Sequence, residues 1–141
     1  MSVAPVADRA GFAARYGPCA LIAGASEGIG AAFARELARR GLDLVLVARR
    51  PEPLAQLERE IAAETRVRVR CIALDLASAD AGAALERELA TQDVGLVVYN
   101  AALAPGGPFL EIPLERQLAA LDVNTRGPLE LAHRFGRRLA A

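Results

Sequence analysis

The chain contains no lysine, and all 17 of its basic residues are arginine. It has no tryptophan, one histidine (His133), two tyrosines (Tyr16 and Tyr99) and two cysteines (Cys19 and Cys71). These shortages exclude several classes of chemistry. Two cysteines make neither a disulfide framework nor a zinc site. Both lie in apolar, strand-like runs, where a free cysteine behaves as a small core residue. His133 has no second ligand or partner nearby in the sequence and reads as a helix-surface residue. No run approaches the ~18 apolar residues of a membrane span. Residues 1–18 show no long apolar stretch of the kind a secretory signal needs. The 17 acidic residues balance the 17 basic ones. That balance leaves no electrostatic case for nucleic acid or an anionic membrane as partner. A cytoplasmic location is the resulting expectation. With 53% hydrophobic and 24% charged residues, the chain reads as globular rather than disordered.

What the chain does have is concentrated between Cys19 and Gly30. Cys19-Ala20-Leu21-Ile22-Ala23 is a short apolar strand. Gly24-Ala25-Ser26-Glu27-Gly28-Ile29-Gly30 is a glycine-rich turn leading into an Ala-rich helix. A helix N-terminus carries partial positive charge and free N–H groups. Glycines let the backbone approach phosphates without an intervening Cβ. The spacing is G-x-x-x-G-x-G, and its position between strand and helix is what gives it weight.

Further along, strands and helices alternate. Phe12 and Tyr16 lie at helical spacing and suggest a short docking helix in a 1–18 extension. The helix after the glycine turn is expected over about 28–40, ending at Gly41, with Ile29, Ala32, Phe33 and Leu37 as its apolar face. Leu42–Ala48 is apolar almost throughout, as in a parallel strand buried on both faces. A helix over about 51–64 uses Leu54, Leu57 and Ile61. Strands follow at 67–74 and 94–99, with a helix over about 80–91 between them. A last helix starts near Pro113, with Leu114, Leu118 and Leu121 on a buried face. It kinks near Asn124 and continues to the end, where Arg134, Arg137 and Arg138 read as a solvated face. The order βαβαβαβα predicts a doubly wound parallel sheet with right-handed crossovers and strand order 3-2-1-4.

These separated motifs resemble those of the short-chain dehydrogenase/reductase family. The family's Thr-Gly-x-x-x-Gly-x-Gly is similar to Ala23-Gly24-Ala25-Ser26-Glu27-Gly28-Ile29-Gly30. Its aspartate after the third strand resembles Asp75, followed by Leu76. Its Asn-Asn-Ala-Gly turn resembles Tyr99-Asn100-Ala101-Ala102. Its Asn-x-x-Gly resembles Asn124-Thr125-Arg126-Gly127. Tyr16-Gly17 resembles members acting on hydroxysteroids or long-chain 3-ketoacyl thioesters. The resemblance covers about 18–141. It implies a Rossmann-type α/β fold, truncated before the fifth strand, in which 19–141 form a partial dinucleotide-binding domain. It also implies cofactor contacts at Gly24, Ser26, Glu27, Gly28, Ile29, Gly30, Asp75, Leu76, Asn100, Ala101 and Ala102, with Asn124 in a catalytic proton relay.

The departures are as informative. Ala23 replaces the usual Thr, and Tyr99 and Ala102 replace the first Asn and the Gly of the second motif. The family's Tyr and Lys, four residues apart, have no counterpart. Ala20 and Leu103 lie four residues after the two tyrosines, and the chain has no lysine. The 141 residues therefore resemble the N-terminal half of such an enzyme. After the second strand, where NAD-specific members carry a carboxylate, stand Ala48, Arg49 and Arg50. Arginine suits a 2′-phosphate through bidentate hydrogen bonds, so NADP(H) rather than NAD(H) is the expected cofactor, with Arg49 the better contact of the two arginines. The lack of an acid there also disfavours a methyltransferase-type nucleoside site. The expected function is the NADP(H)-binding part of an oxidoreductase acting on a small carbonyl or alcohol, with homo-oligomers formed through the final helix. The alternative is a non-catalytic dinucleotide-binding or interaction module.

Overall fold

The computed structural model describes residues 9–140. The first eight residues of the expected extension and Ala141 lie outside the described residues. Helix α1 (Arg9–Tyr16) precedes β1 (Cys19–Ala23), α2 (Gly28–Arg39), β2 (Asp43–Ala48), α3 (Pro51–Glu64), β3 (Val69–Ala73), α4 (Ala81–Glu88) and β4 (Val94–Tyr99). A 3₁₀ turn (Phe109–Glu111), α5 (Leu114–Leu121), a π-helical turn (Asp122–Arg126) and α6 (Gly127–Leu139) follow. The four strands form one parallel sheet in the order β3-β2-β1-β4. No helix among the described residues is long and apolar enough to cross a membrane.

Strand alternation divides the core into two layers. Ala20, Ile22, Leu44, Leu46 and Ala48 face α2 and α3, where they meet Ala34, Leu37, Leu54, Leu57 and Ile61. Cys19, Leu21, Ala23, Val45 and Val47 face α4 and α6, where they meet Leu85, Leu131 and Phe135. β1 and β2 are thus covered on both faces, which is why their sequences are apolar throughout. Helix α1 docks as expected: Phe12 and Tyr16 stack at 4.8 Å and pack on the first layer, with the Arg40 guanidinium 4.7 Å from the Phe12 ring.

Three expectations about helix faces are corrected. The buried side of α2 is Gly30, Ala31, Ala34, Leu37 and Ala38, whereas Ile29, Ala32 and Phe33 are exposed. The first turn of the helix lies so close to the glycine turn that a Cβ on Gly30 would strike the Gly24 carbonyl, and beside it the alanines rather than Ile29 and Phe33 face inward. Leu114, Leu118 and Leu121 of α5 are also exposed, because no described element packs over them. Arg134 and Arg138 are not a solvated face. Arg134 pairs with Glu86 at 2.5 Å, and Arg138 donates to the carbonyls of Leu89 (3.0 Å) and Gln92 (2.6 Å). Together they fasten α6 to α4 and the loop after it. Arg137 and His133 are exposed as expected. Near Asn124, where a kink is expected, the helix makes a π-helical turn.

Candidate functional site

In strand order, the chain reverses direction between β1 and β4. The loops leaving two such neighbouring strands part in opposite directions and open a crevice at their carboxyl ends. Here a cleft of about 430 Å³ lies at that place, within the size range of small-ligand sites.

The glycine turn forms its floor. Gly24 and Ala25 both donate N–H to the Val47 carbonyl, at 2.8 and 3.1 Å. Gly24 has φ +83, and a Cβ there would collide with the backbone of Ala101. Gly28 has φ +57 with open space around it. A Cβ on Gly30 would strike the Gly24 carbonyl, so that residue seats α2 against the turn. Glu27 occupies the N-cap of α2 but makes no side-chain cap bond. The first N–H groups of α2 therefore lack a side-chain acceptor, as an anion site at a helix N-terminus requires.

The other strands supply the walls. From β4, the Asn100 N–H donates to the Ala23 carbonyl at 2.8 Å, and its Nδ2 lies 3.4 Å from the Gly24 carbonyl. Asn100 thus ties the end of β4 to the turn. After β2, Arg49 and Arg50 are exposed at the rim. Arg50 Nη2 lies 3.3 Å from Glu27 Oε1. After β3, Asp75 Oδ1 accepts the Ala77 N–H at 3.0 Å while the carboxylate stays exposed beside the cleft, and Leu76 is buried.

Gly24, Ser26, Glu27, Arg49, Arg50, Asp75, Leu76, Asn100, Ala101 and Ala102 all line this one cleft. Four other expected site residues stand off its wall. Gly28 and Ile29 are exposed beyond the turn, and Gly30 lies beneath it. Asn124 acts on the cleft indirectly. Its Oδ1 accepts the Leu103 N–H at 2.9 Å and its Nδ2 donates to the Leu103 carbonyl at 2.8 Å. This pair of bonds fixes Leu103 in the wall. Tyr99 donates to the Val123 carbonyl at 2.6 Å and so holds the π-helical turn against β4. Burial raises the Tyr99 pKa, which keeps the phenol a neutral donor.

Sequence reasoning missed Leu74, Ala77, Leu103, Ala119 and Val123 as lining residues, and treated Ala48 only as an empty carboxylate position. Leu74 and Ala77 flank Asp75-Leu76 and were within reach of the motif. Ala119 and Val123 arrive from α5 and the π-helical turn, and no local pattern marks them.

The donor set fits a nicotinamide dinucleotide: uncapped N–H groups, close-approach glycines and two rim arginines meet in one cleft. Comparison with known proteins agrees. Residues 18–140 match the family described as short chain dehydrogenase. The chain is 36% identical over 124 residues to a 7beta-hydroxysteroid dehydrogenase of Clostridium sardiniense, covering 88% of this chain and 48% of that protein. It is 34% identical over 110 residues to the human very-long-chain 3-oxoacyl-CoA reductase, covering 77% and 35%. The solved structure of a 7beta-hydroxysteroid dehydrogenase superposes with TM-score 0.87 at 31% identity, covering 92% of this chain and 51% of the other. A short-chain dehydrogenase of Sphingobium yanoikuyae, solved in complex with NADPH, gives 0.78 at 36%, covering 86% and 48%. The chain spans about half the length, or less, of these relatives. On the family match and the shared fold together, this chain belongs to the short-chain dehydrogenase family.

Proposed function

We propose that this chain is the NADP(H)-binding part of a short-chain oxidoreductase whose complete form interconverts a carbonyl and a secondary alcohol. The observation that carries the reading is the convergence of the glycine turn, Ser26, Arg49, Arg50 and Asp75 on one cleft at the strand-order reversal. The turn and the N-terminus of α2 would hold the pyrophosphate, with Ser26 adding a hydroxyl. Arg49, beside the apolar Ala48, would meet the 2′-phosphate, with Arg50 next to it. Asp75 and Leu76 would border the adenine, and Asn100, Ala101 and Ala102 would keep the wall next to the turn in place. The bound cofactor would supply the hydride. Asn124 would belong to the proton relay of the complete enzyme while fixing Leu103. The NADPH complex of the Sphingobium relative supports the cofactor choice.

The 141 residues hold no lysine, so the Tyr-x-x-x-Lys pair that this chemistry uses is absent from them. The second reading is a dinucleotide-binding module without catalysis. A Tyr-x-x-x-Lys in the reading frame beyond Ala141 favours the first, and a stop there the second. We place the protein in the cytoplasm and expect homo-oligomers through α6, whose Leu129 is 69% exposed.

Fluorescence titration tests the binding assignment. The chain is expected to bind NADPH roughly 10–100-fold more tightly than NADH, the value of a charge-assisted hydrogen bond, and Arg49→Asp to reverse the preference. Equal affinities would overturn it. The purified chain is expected to reduce no ketone.

A further inference from the structure

Leu103 and Val123 line the cleft, yet neither belongs to a strand or an α-helix. What holds them converges on one carbonyl. In an α-helix the Val123 carbonyl would accept the N–H of Gly127, but that group donates to the Asp122 carbonyl, five residues back. In the same π register the donor to Val123 would be residue 128, which is proline and has no N–H. Both helical donors are therefore lost. The Tyr99 hydroxyl takes their place and donates to the Val123 carbonyl at 2.6 Å. Gly127 makes room for it, because a Cβ there would collide with the phenol. The next residue, Asn124, clasps both the N–H and the carbonyl of Leu103. We infer that Tyr99 is a positioning residue, which sets the cleft wall at Val123 directly and at Leu103 through Asn124, and that Pro128 creates the need for it by leaving the Val123 carbonyl without a backbone donor.

The consequence for the ligand rests on the NADP(H) reading and deepens it. In that reading Asp75 and Leu76 border the adenine, and Leu103, Ala119 and Val123 line the same cleft. A displaced π-helical turn would reshape the space left for the nucleotide. Tyr99 stands where the family's motif carries asparagine, so the motif itself supplies no phenol for this task. Val123 is buried, and a buried carbonyl left without a donor costs more than an exchangeable surface bond. The Asp122–Arg126 ion pair cannot substitute. It joins two residues of the turn to each other, not the turn to β4, and the Arg126 side chain is about half exposed, where such pairs are weak. The Tyr99 ring also packs on the second core layer. Phenylalanine keeps that packing and removes only the hydroxyl.

The test compares the full chain, Tyr99→Phe, Pro128→Ala and the Tyr99→Phe/Pro128→Ala double variant. Amide exchange without ligand is read first. Tyr99→Phe is expected to speed exchange of the Leu103 amide by about fivefold, the worth of one hydrogen bond, while Val45 in β2 keeps its rate. Pro128→Ala gives the turn a new N–H. Alone it is expected to change Leu103 exchange by less than about twofold, and in the double variant to cancel more than half of the Tyr99→Phe effect. NADPH affinity, titrated by fluorescence, is expected to fall by about two- to fivefold in Tyr99→Phe and to recover in the double variant. A purely structural role would speed Leu103 and Val45 alike and would show no rescue. Unaltered Leu103 exchange, uniform acceleration, or an undiminished effect in the Pro128→Ala background overturns the inference. So does unchanged affinity in Tyr99→Phe when the unsubstituted chain binds NADPH. If Tyr99→Phe does not fold alone, folding of the double variant supports the inference and failure of both overturns it. If the unsubstituted chain binds no NADPH, the cofactor reading falls, and the exchange rates alone decide the role of Tyr99.

Discussion

The two flanks of β1 are built differently. On the β2 side, the strand residues Leu44–Ala48 are all buried, Leu44, Leu46 and Ala48 beneath α2 and α3 and Val45 and Val47 in the opposite layer. On the β4 side, only Val94 of the strand is fully buried. The following helix exposes Leu114, Leu118 and Leu121, and Leu129 is exposed on α6. Yet Leu54, Leu57 and Ile61 of α3 and Leu114, Leu118 and Leu121 of α5 both recur at helical intervals of three and four residues. Periodicity marks a face that is made to be covered. Whether anything among the described residues covers it depends on which element lies opposite, and that information sits elsewhere in the chain.

The widest contrast should come from core truncations on the two flanks. Leu46 is fully buried in β2, and Leu46→Ala should cost about 2–5 kcal/mol in denaturant unfolding, as cavity-forming substitutions do. Leu118 is 50% exposed, and Leu118→Ala should cost about 0.5 kcal/mol or less. A comparable, concentration-dependent loss at Leu118 would break the contrast and show that α5 is covered by another molecule in solution.

Alkaline pH sharpens the comparison from the sealed side. Burial, reinforced by the Asp43 carboxylate, pushes the Cys19 thiol from 9.0 up to about 11. A group whose pKa is raised by folding contributes stability that is complete below its unfolded value and lost as pH rises through its folded value. The chain should therefore lose stability relative to Cys19→Ala between about pH 9 and 11, by roughly 2–3 kcal/mol. Unfolding midpoints measured across that range check it. Cys71 is also raised to about 11, mainly by burial and then by Glu58, and its share of the loss persists in the variant.

The smallest effect probes the open side, where hydrogen bonds rather than packing fix the backbone. Tyr99→Phe removes the bond to the Val123 carbonyl and should cost about 1 kcal/mol. Amide exchange should speed up across Asp122–Arg126 while β2 stays protected. Uniform acceleration would show that the two flanks unfold as one unit.

Strand order, both sheet layers and most of the cleft rim were legible in the sequence because they depend on local signals. Gly24 and Gly28 announce positive φ, and Asp75 and Asn100 follow strands whose carboxyl ends meet. The face of α2 was not legible. Ile29 and Phe33 outweigh Ala31 and Ala34 on any hydrophobic scale, yet the alanines are buried, because the rotation of the helix is set by Gly30 packing on the glycine turn. Arg134 and Arg138 misled for a related reason: a guanidinium at a helix surface looks solvated until a carboxylate and two carbonyls come to it from α4 and the loop beyond. Ala119 and Val123 line the cleft only because α5 and the π-helical turn after it border it.

The π-helical turn adds one residue to an otherwise continuous rod, and so acts as a change of phase. An α-helix advances about 100° per residue, so α5 and α6 present faces offset by about that angle from those of an uninterrupted helix. Removing one residue there would bring each later residue to the place of its predecessor. Ala132 would stand where Leu131 now seals the second layer, and Gly136 where Phe135 does. A single-residue deletion beside a loop usually passes unnoticed. At this point it would exchange the two largest anchors of α6 for a methyl group and a hydrogen, and turn Asn124 away from the backbone it clasps.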